Sequence, residues 1–273
     1  MSWGGNTPFF MNNIVKVLLD RYHFVSEHYG NVMAVFLNGS QNYNLDYEGS
    51  DIDCKAIVLP GLEDIVLNKK AISKTIVLDN NEHIDVKDIR VFIEILKKQN
   101  ISYLEVLFTK YMVVNTEYKD IIDLLIRNRE KIARYDNYAS INCLYGMILE
   151  KYKALEHRYP SLVDKIDKYG YDPKQLHHII RLTEFMERFI NGEDFGSCLV
   201  PSNTEYLINV KKGLHTLEEA REIAKENTNR AKIIKNEYIE NNSLVIDTEC
   251  ELIFKEVLLS SIKLNLRKEM EDR

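Results

Sequence analysis

Two aspartates, Asp51 and Asp53, stand two residues apart in the run SDIDCKAIVLP (50–60), where a polar turn gives way to apolar residues of strand type. Residues i and i+2 of a strand share a face, so the two carboxylates converge. Side by side at a strand mouth they repel unless solvated, protonated or bridged, and hard divalent cations with oxygen ligands are the natural bridge. A pair of Mg²⁺ ions about 3.5–4 Å apart is a clamp for phosphoryl transfer. A third carboxylate is offered by EHIDVKD (82–88). Alternation sets Ile84 and Val86 on one face and His83, Asp85 and Lys87 on the other, so Asp85 reaches the same edge if the two strands are neighbours. Asp88 is the alternative third ligand, but its place before IRVFIEIL suits a helix N-cap, worth about 1 kcal/mol without any chemistry. The expected metal and catalytic set is therefore Asp51, Asp53 and Asp85, holding two Mg²⁺ ions or their Mn²⁺ equivalents.

Upstream, VMAVFLNGS (32–40) delivers Gly39 and Ser40 into a turn ahead of the paired aspartates. Gly39 lets the backbone approach a ligand, and Ser40 adds a hydroxyl to the amides that follow, a surface suited to phosphate. A second constellation lies in DPKQLHHIIRL (172–182). Asp172 as cap and Pro173 in the first turn start a helix on which Lys174, His178 and Arg181 fall at i, i+4 and i+7, opposite Leu176, Ile179 and Ile180. Such a stripe matches a polyphosphate, because Arg binds bidentately and Lys acts as a point charge. A solvated helix face is the other reading of the stripe. His177, one step off it, is expected to pack or cap.

Particular elements must bring these side chains to their places. NIVKVLLDRYHFVSEHY (13–29) has apolar residues spaced for one helix face, and 32–40 and 51–60 read as strands. TIVLDNNEHIDVKDI (75–89) suggests a hairpin around Asp79-Asn80-Asn81, followed by a helix over 88–100. From about residue 115 the patterns turn helical, over 118–133, 137–159, 173–192, 216–240 and 248–268, with Pro160, Pro173 and Gly192 as punctuation. Residues 193–213 are expected to form a loop with short extended pieces. The fold class is α+β: a mixed-sheet domain over 1–114 and a helical domain over 115–273.

A Gly-Ser turn, then SDID, then a strand Asp resembles the DNA polymerase β-like nucleotidyltransferase superfamily. More closely, GSQNYNLDYEGSDIDCKAIVLP, DIRVFIEILKKQNISYLEVLF and YDPKQLHHIIRL are similar to the predicted nucleotidyltransferases associated with RNA repair, the RlaP type. The likeness spans roughly residues 30 to 220 and departs at Asn44, where relatives carry Gly; Asn tolerates left-handed backbone better than most residues. The resemblance implies transfer of a nucleotidyl group from an NTP, ATP included, to a hydroxyl acceptor with release of pyrophosphate. It implies that Gly39 and Ser40 hold the triphosphate, that Asp51 and Asp53 bind both metals, and that Asp85 ligates the metal nearer the acceptor and helps to deprotonate it. Lys174, His178 and Arg181 would then face the nucleotide in a cleft between the domains. Glu105 in SYLEVLF echoes an acidic residue of the relatives and is expected to be buried and structural.

Composition narrows the partners. Of 273 residues, 45% are hydrophobic and 29% charged, and the formal charge is −6, which excludes disorder as the main state and a global field drawing the chain to polyanions. Two local basic runs, Arg127, Arg129, Lys131, Arg134 and Lys225, Arg230, Lys232, Lys235, are interleaved with acidic and polar residues and read as solvated faces. No stretch approaches a membrane span, and MSWGGNTPFFMNN lacks the pattern of a signal peptide. Four widely spaced cysteines fit core thiols in a reducing compartment. The chain is expected to be cytoplasmic, with no membrane partner. RNA or tRNA, a protein and a small molecule stand open as acceptors. The alternatives are a nucleotide-binding sensor without catalysis and a toxin- or antitoxin-like enzyme that modifies protein hydroxyls.

Overall fold

The computed structural model describes residues 7–271, so the first six residues of MSWGGNTPFFMNN lie outside them. In chain order the elements are α1 (Thr7–Tyr29), β1 (Val32–Asn38), β2 (Asp53–Val58), α2 (Leu62–Val66), β3 (Ser73–Val77), β4 (His83–Asp88), α3 (Ile89–Lys97), α4 (Ile101–Leu104) and β5 (Met112–Val114). There follow α5 (Lys119–Arg127), α6 (Arg129–Ala133), α7 (Asn137–Ala154), α8 (Val163–Tyr169), α9 (Pro173–Ile190), α10 (Phe195–Leu199), α11 (Thr204–Lys211), α12 (Leu217–Asn241) and α13 (Thr248–Glu271). The class is α+β.

Two compact units divide the chain. The first comprises the described residues up to Asn42, Gly49–Tyr135, and Asp247 onward; the second comprises Tyr43–Glu48 and Asp136–Ile246. The linear division expected at residue 114 falls inside the first unit, because the chain runs on through α5 and α6 and then returns there with α13.

The first unit is built on a five-stranded sheet of order β3-β4-β2-β1-β5. The β2–β4 pair is parallel and the others antiparallel, with Cys54 opposite Ile84 and Lys55 opposite Asp85. The strand pattern decides the two faces. Leu37, Cys54, Ala56, Val58, Ile84 and Val86 pack with Ile14, Leu18 and Val25 of α1. The alternate residues, Asp53 and Lys55 on β2 and Asp85 and Lys87 on β4, fall on the opposite face. A buried amide of the C-terminal helix ties it to the unit: Asn265 donates from Nδ2 to the Pro60 carbonyl at 3.1 Å and accepts at Oδ1 from the Tyr118 hydroxyl at 3.1 Å.

The second unit is a helical cluster with α9 packed against α7, α10, α11 and α12. Its register is set by signals legible in the sequence. Asp172 caps α9 by accepting from the Lys174 amide at 3.0 Å, and Pro173 occupies the first turn. Thr216 and Glu219 form a capping box at the start of α12. Residues 193–213 fold not as a loop with extended pieces but as α10 and α11; Phe195 packs edge-on against Phe185 and Phe189 of α9, and Asn203 caps α11. Among the described residues no helix is long and apolar enough to cross a membrane.

Candidate active site

Gly39 leaves β1 with φ 114°, a backbone that glycine adopts and side chains resist, and Ser40–Tyr43 then form one tight helical turn. Two amide side chains brace it. Asn42 donates from Nδ2 to the Leu37 carbonyl at 3.1 Å and accepts at Oδ1 from the Thr109 hydroxyl at 2.7 Å. Gln41 donates from Nε2 to the Asp51 carbonyl at 2.8 Å, which ties the Gly-Ser turn directly to the first of the paired aspartates. Neither Gln41 nor Asn42 was singled out by spacing alone, although both lie in the polar run after Ser40.

Asp51 precedes β2 and is exposed, whereas Asp53 is the first residue of β2 and partly buried. Asp53 Oδ1 accepts from the His83 amide at 2.8 Å and lies 3.2 Å from His83 Nδ1. Asn38 is the register partner of Asp53 on β1, and its buried Oδ1 has no hydrogen-bond partner. A carboxylate and an unpartnered amide carbonyl thus share one register position, with Asp51 two residues earlier, and oxygens of these kinds are what a hard divalent cation takes. In that sense Asp51 and Asp53 fit such an ion.

Asp85 is placed differently. It shares the sheet face of Asp53 on the neighbouring strand, but its carboxylate is already engaged. Lys87 Nζ donates to Oδ1 at 2.5 Å, the Thr75 hydroxyl donates to the same oxygen at 3.3 Å, and the Tyr103 hydroxyl donates to Oδ2. Lys55 Nζ stands 3.9 Å from Oδ2 and 4.4 Å from the Tyr103 ring centre. Both lysines are nearly enclosed, Lys55 at 6% and Lys87 at 9% exposure. Burial pushes the Lys55 ammonium below its ordinary range, against the opposing pull of Glu105 first and Asp85 second. Burial likewise raises the Tyr103 phenol, and its bond to Asp85 adds to the rise. Glu105 is itself buried in the turn after α4. A ligand role for Asp85 would require these partners to give way, and losing one partner of a buried pair costs about 3–5 kcal/mol. Among the described residues no group of three or more His, Cys, Asp or Glu side chains is gathered closely enough to hold a metal ion. Asp88, the alternative, is buried as the N-cap of α3, accepting from the Arg90 amide at 2.9 Å and from Arg90 Nη2 at 2.7 Å.

Spacing could have exposed the lysines: each stands two residues beyond an aspartate on a strand and so shares its face. What it could not show was that both would be buried on one carboxylate.

In the second unit Lys174, His178 and Arg181 lie along α9 in unlike surroundings. Lys174 is exposed, His178 half-buried and Arg181 buried. The Arg181 guanidinium stacks over the Tyr43 ring at 4.4 Å, and its Nε has no hydrogen-bond partner. Tyr43 and Leu45 are buried within this unit, Asn44 takes the left-handed backbone at φ 59°, and Lys211 lies 4.7 Å from the ring centre of Tyr47. Burial first, and then the charge of Arg181, hold His178 well below the ordinary imidazole range, so at neutral pH it offers a hydrogen bond rather than a charge.

His177 is buried and its Nδ1 lies 2.9 Å from the Leu207 carbonyl, so it packs, as its place off the stripe suggested. Burial lowers its pKa to about 4. Because the folded value lies below the unfolded one, near 6.5, the unfolded chain binds the proton first, and stability falls with pH from about 6.5 down to about 4. We expect His177 to withdraw about 2 kcal/mol of unfolding free energy between pH 7 and pH 5. Urea titrations at the two pH values check this: in His177→Gln the difference should shrink by that amount, the remainder belonging to groups such as His178 whose pKa is also depressed.

No protein-family model matches the chain, and no curated protein matches it in sequence. Among solved structures it is similar to a nucleotidyltransferase-like protein from Exiguobacterium sibiricum, at 12% identity over 93% of this chain and 80% of that one, with a TM-score of 0.30. A likeness that loose carries no assignment of activity.

Proposed function

We propose that the chain is a divalent-metal-dependent nucleotidyltransferase that moves a nucleoside monophosphate from an NTP to a hydroxyl, with an RNA end as the acceptor class and pyrophosphate as the leaving group. The observation that carries this reading is the coupling of the Gly39-Ser40 turn to Asp51 through Gln41, at 2.8 Å, with Asp53 on the adjoining strand start. Asp51 and Asp53 would hold Mg²⁺ or Mn²⁺, which supplies charge neutralisation at the phosphates. The amides and hydroxyl of the turn would position the triphosphate. Within the second unit, Lys174 and Arg181 of α9, the guanidinium stacked on Tyr43, are proposed as a phosphate-binding stripe in their own right. In-line attack on the α-phosphate needs positioning and charge neutralisation, and no covalent protein intermediate.

The engagement of Asp85 by Lys87 favours a second reading, a sensor that binds nucleotide without transferring it. One experiment separates the two. The protein is incubated with each α-labelled NTP, Mg²⁺ or Mn²⁺, and total RNA, or a cell lysate, while pyrophosphate release is followed. Label in RNA with release of pyrophosphate supports the proposal, and label in protein moves the acceptor to a protein hydroxyl. NTP binding without release establishes the sensor. A chain that neither binds nor transfers any NTP overturns both.

A further inference from the structure

The surroundings of Asp85 carry a conclusion about metal number, resting on the nucleotidyltransferase reading above. Lys55 and Asp85 are register partners on adjacent parallel strands, and Lys87 follows Asp85 by two residues on the same face. The backbone itself therefore fixes one ammonium on each side of this carboxylate. The Tyr103 hydroxyl and the Thr75 hydroxyl take up further acceptor sites of the same group. Both ammonium groups are buried, so neither can exchange its counter-ion for water without loss. Among the described residues no lysine or arginine ion-pairs with Asp51 or Asp53: the amide of His83 donates to Asp53 and the exposed His83 ring lies 3.2 Å from it, and Asp51 is exposed.

We infer that the site takes a single divalent ion, on Asp51 and Asp53, and that Lys55 and Lys87 hold Asp85 outside its coordination. Asp85 is then a positioning residue that anchors two fixed positive charges on the sheet face next to the ion.

The test is the binding of Mn²⁺ to the full chain, by calorimetry and by electron paramagnetic resonance, with and without an NTP analogue that cannot release pyrophosphate. The expected result is one Mn²⁺ per chain, weakened about tenfold or more in Asp53→Asn. Because Asp85→Asn alone strands a buried lysine, the companion variant is the charge-matched pair Asp85→Asn with Lys87→Met, in which Mn²⁺ affinity stays unchanged. Two ions per wild-type chain, or a tenfold loss in the paired variant, overturns the inference and leaves the nucleotidyltransferase reading standing. A wild-type chain that binds no Mn²⁺ overturns both. The wild-type stoichiometry needs no variant, so the inference is answered even if the paired variant fails to fold.

Discussion

Asp53→Asn is expected to reduce Mg²⁺-dependent transfer of label from an α-labelled NTP by about 10³-fold or more, and Asp51→Asn to do nearly the same. The amide keeps the shape of the side chain and its bond from the His83 amide, so the fold should persist while the negative charge that would hold the ion is gone. The loss should appear in kcat and in kcat/KM alike and should not be rescued by saturating nucleotide, because what is removed is neutralisation of charge developing at the phosphates. Substituting both residues should add little to either alone, since they act as one unit. Undiminished transfer in Asp53→Asn, measured beside an unchanged thermal melt, would sink the assignment of these carboxylates.

The second large effect is on stability. Asp85→Ala removes the shared counter-ion of Lys55 and Lys87, both of them buried, and is expected to cost about 3–5 kcal/mol of unfolding free energy. For a chain of this size that is roughly a 10 °C fall in melting temperature. Lys87→Met in the same chain should recover part of the loss, because it withdraws one of the two stranded ammonium groups, and Glu105 continues to favour the charged form of Lys55. A double-mutant cycle on Asp85 and Lys87, read by urea titration, should give a coupling energy of about 1 kcal/mol or more. An Asp85→Ala variant within about 0.5 kcal/mol of wild type would place the pair among solvated surface bridges instead.

What the sequence made legible was what local chemistry decides. The period-2 alternation in EHIDVKD predicted the β4 face on which Asp85 lies, and the parallel pairing of β2 with β4 sets that face beside Asp53. The residue before IRVFIEIL was recognisable as the cap of α3, and Asp172-Pro173 marked the start of α9. Asn44 adopts the left-handed backbone, at the position where the proteins that the chain resembles carry Gly. The rest depends on partners distant in sequence. Strand β5, with only three residues, is too short to show a period, and exists because Val113 pairs with Val35. Gly, Ser and Pro between 193 and 213 hid α10 and α11, whose apolar residues pack against α9. The expected single helix over 118–133 is two, α5 and α6, broken at Asn128, whose side chain donates to the Leu124 carbonyl at 2.8 Å. Likewise the burial of Lys55 and Lys87 follows from what covers the sheet, which no window of strand residues contains.

The path of the chain has a further consequence. The residues that open and close the long helical segment are hydrogen-bonded neighbours: Asp136 bridges Ile246, and the Asp247 amide donates to the Tyr135 carbonyl at 3.0 Å. Some 110 residues thus depart from and rejoin the sheet-bearing unit at nearly one point, like a cassette spliced into a host gene. Helices α7 to α12 can be lengthened, shortened or exchanged over evolution while the ends of the host segment stay where they are. A stretch that must keep pace with such exchanges is Tyr43–Glu48, the short outlier of the cassette that ends 88 positions before the remainder begins.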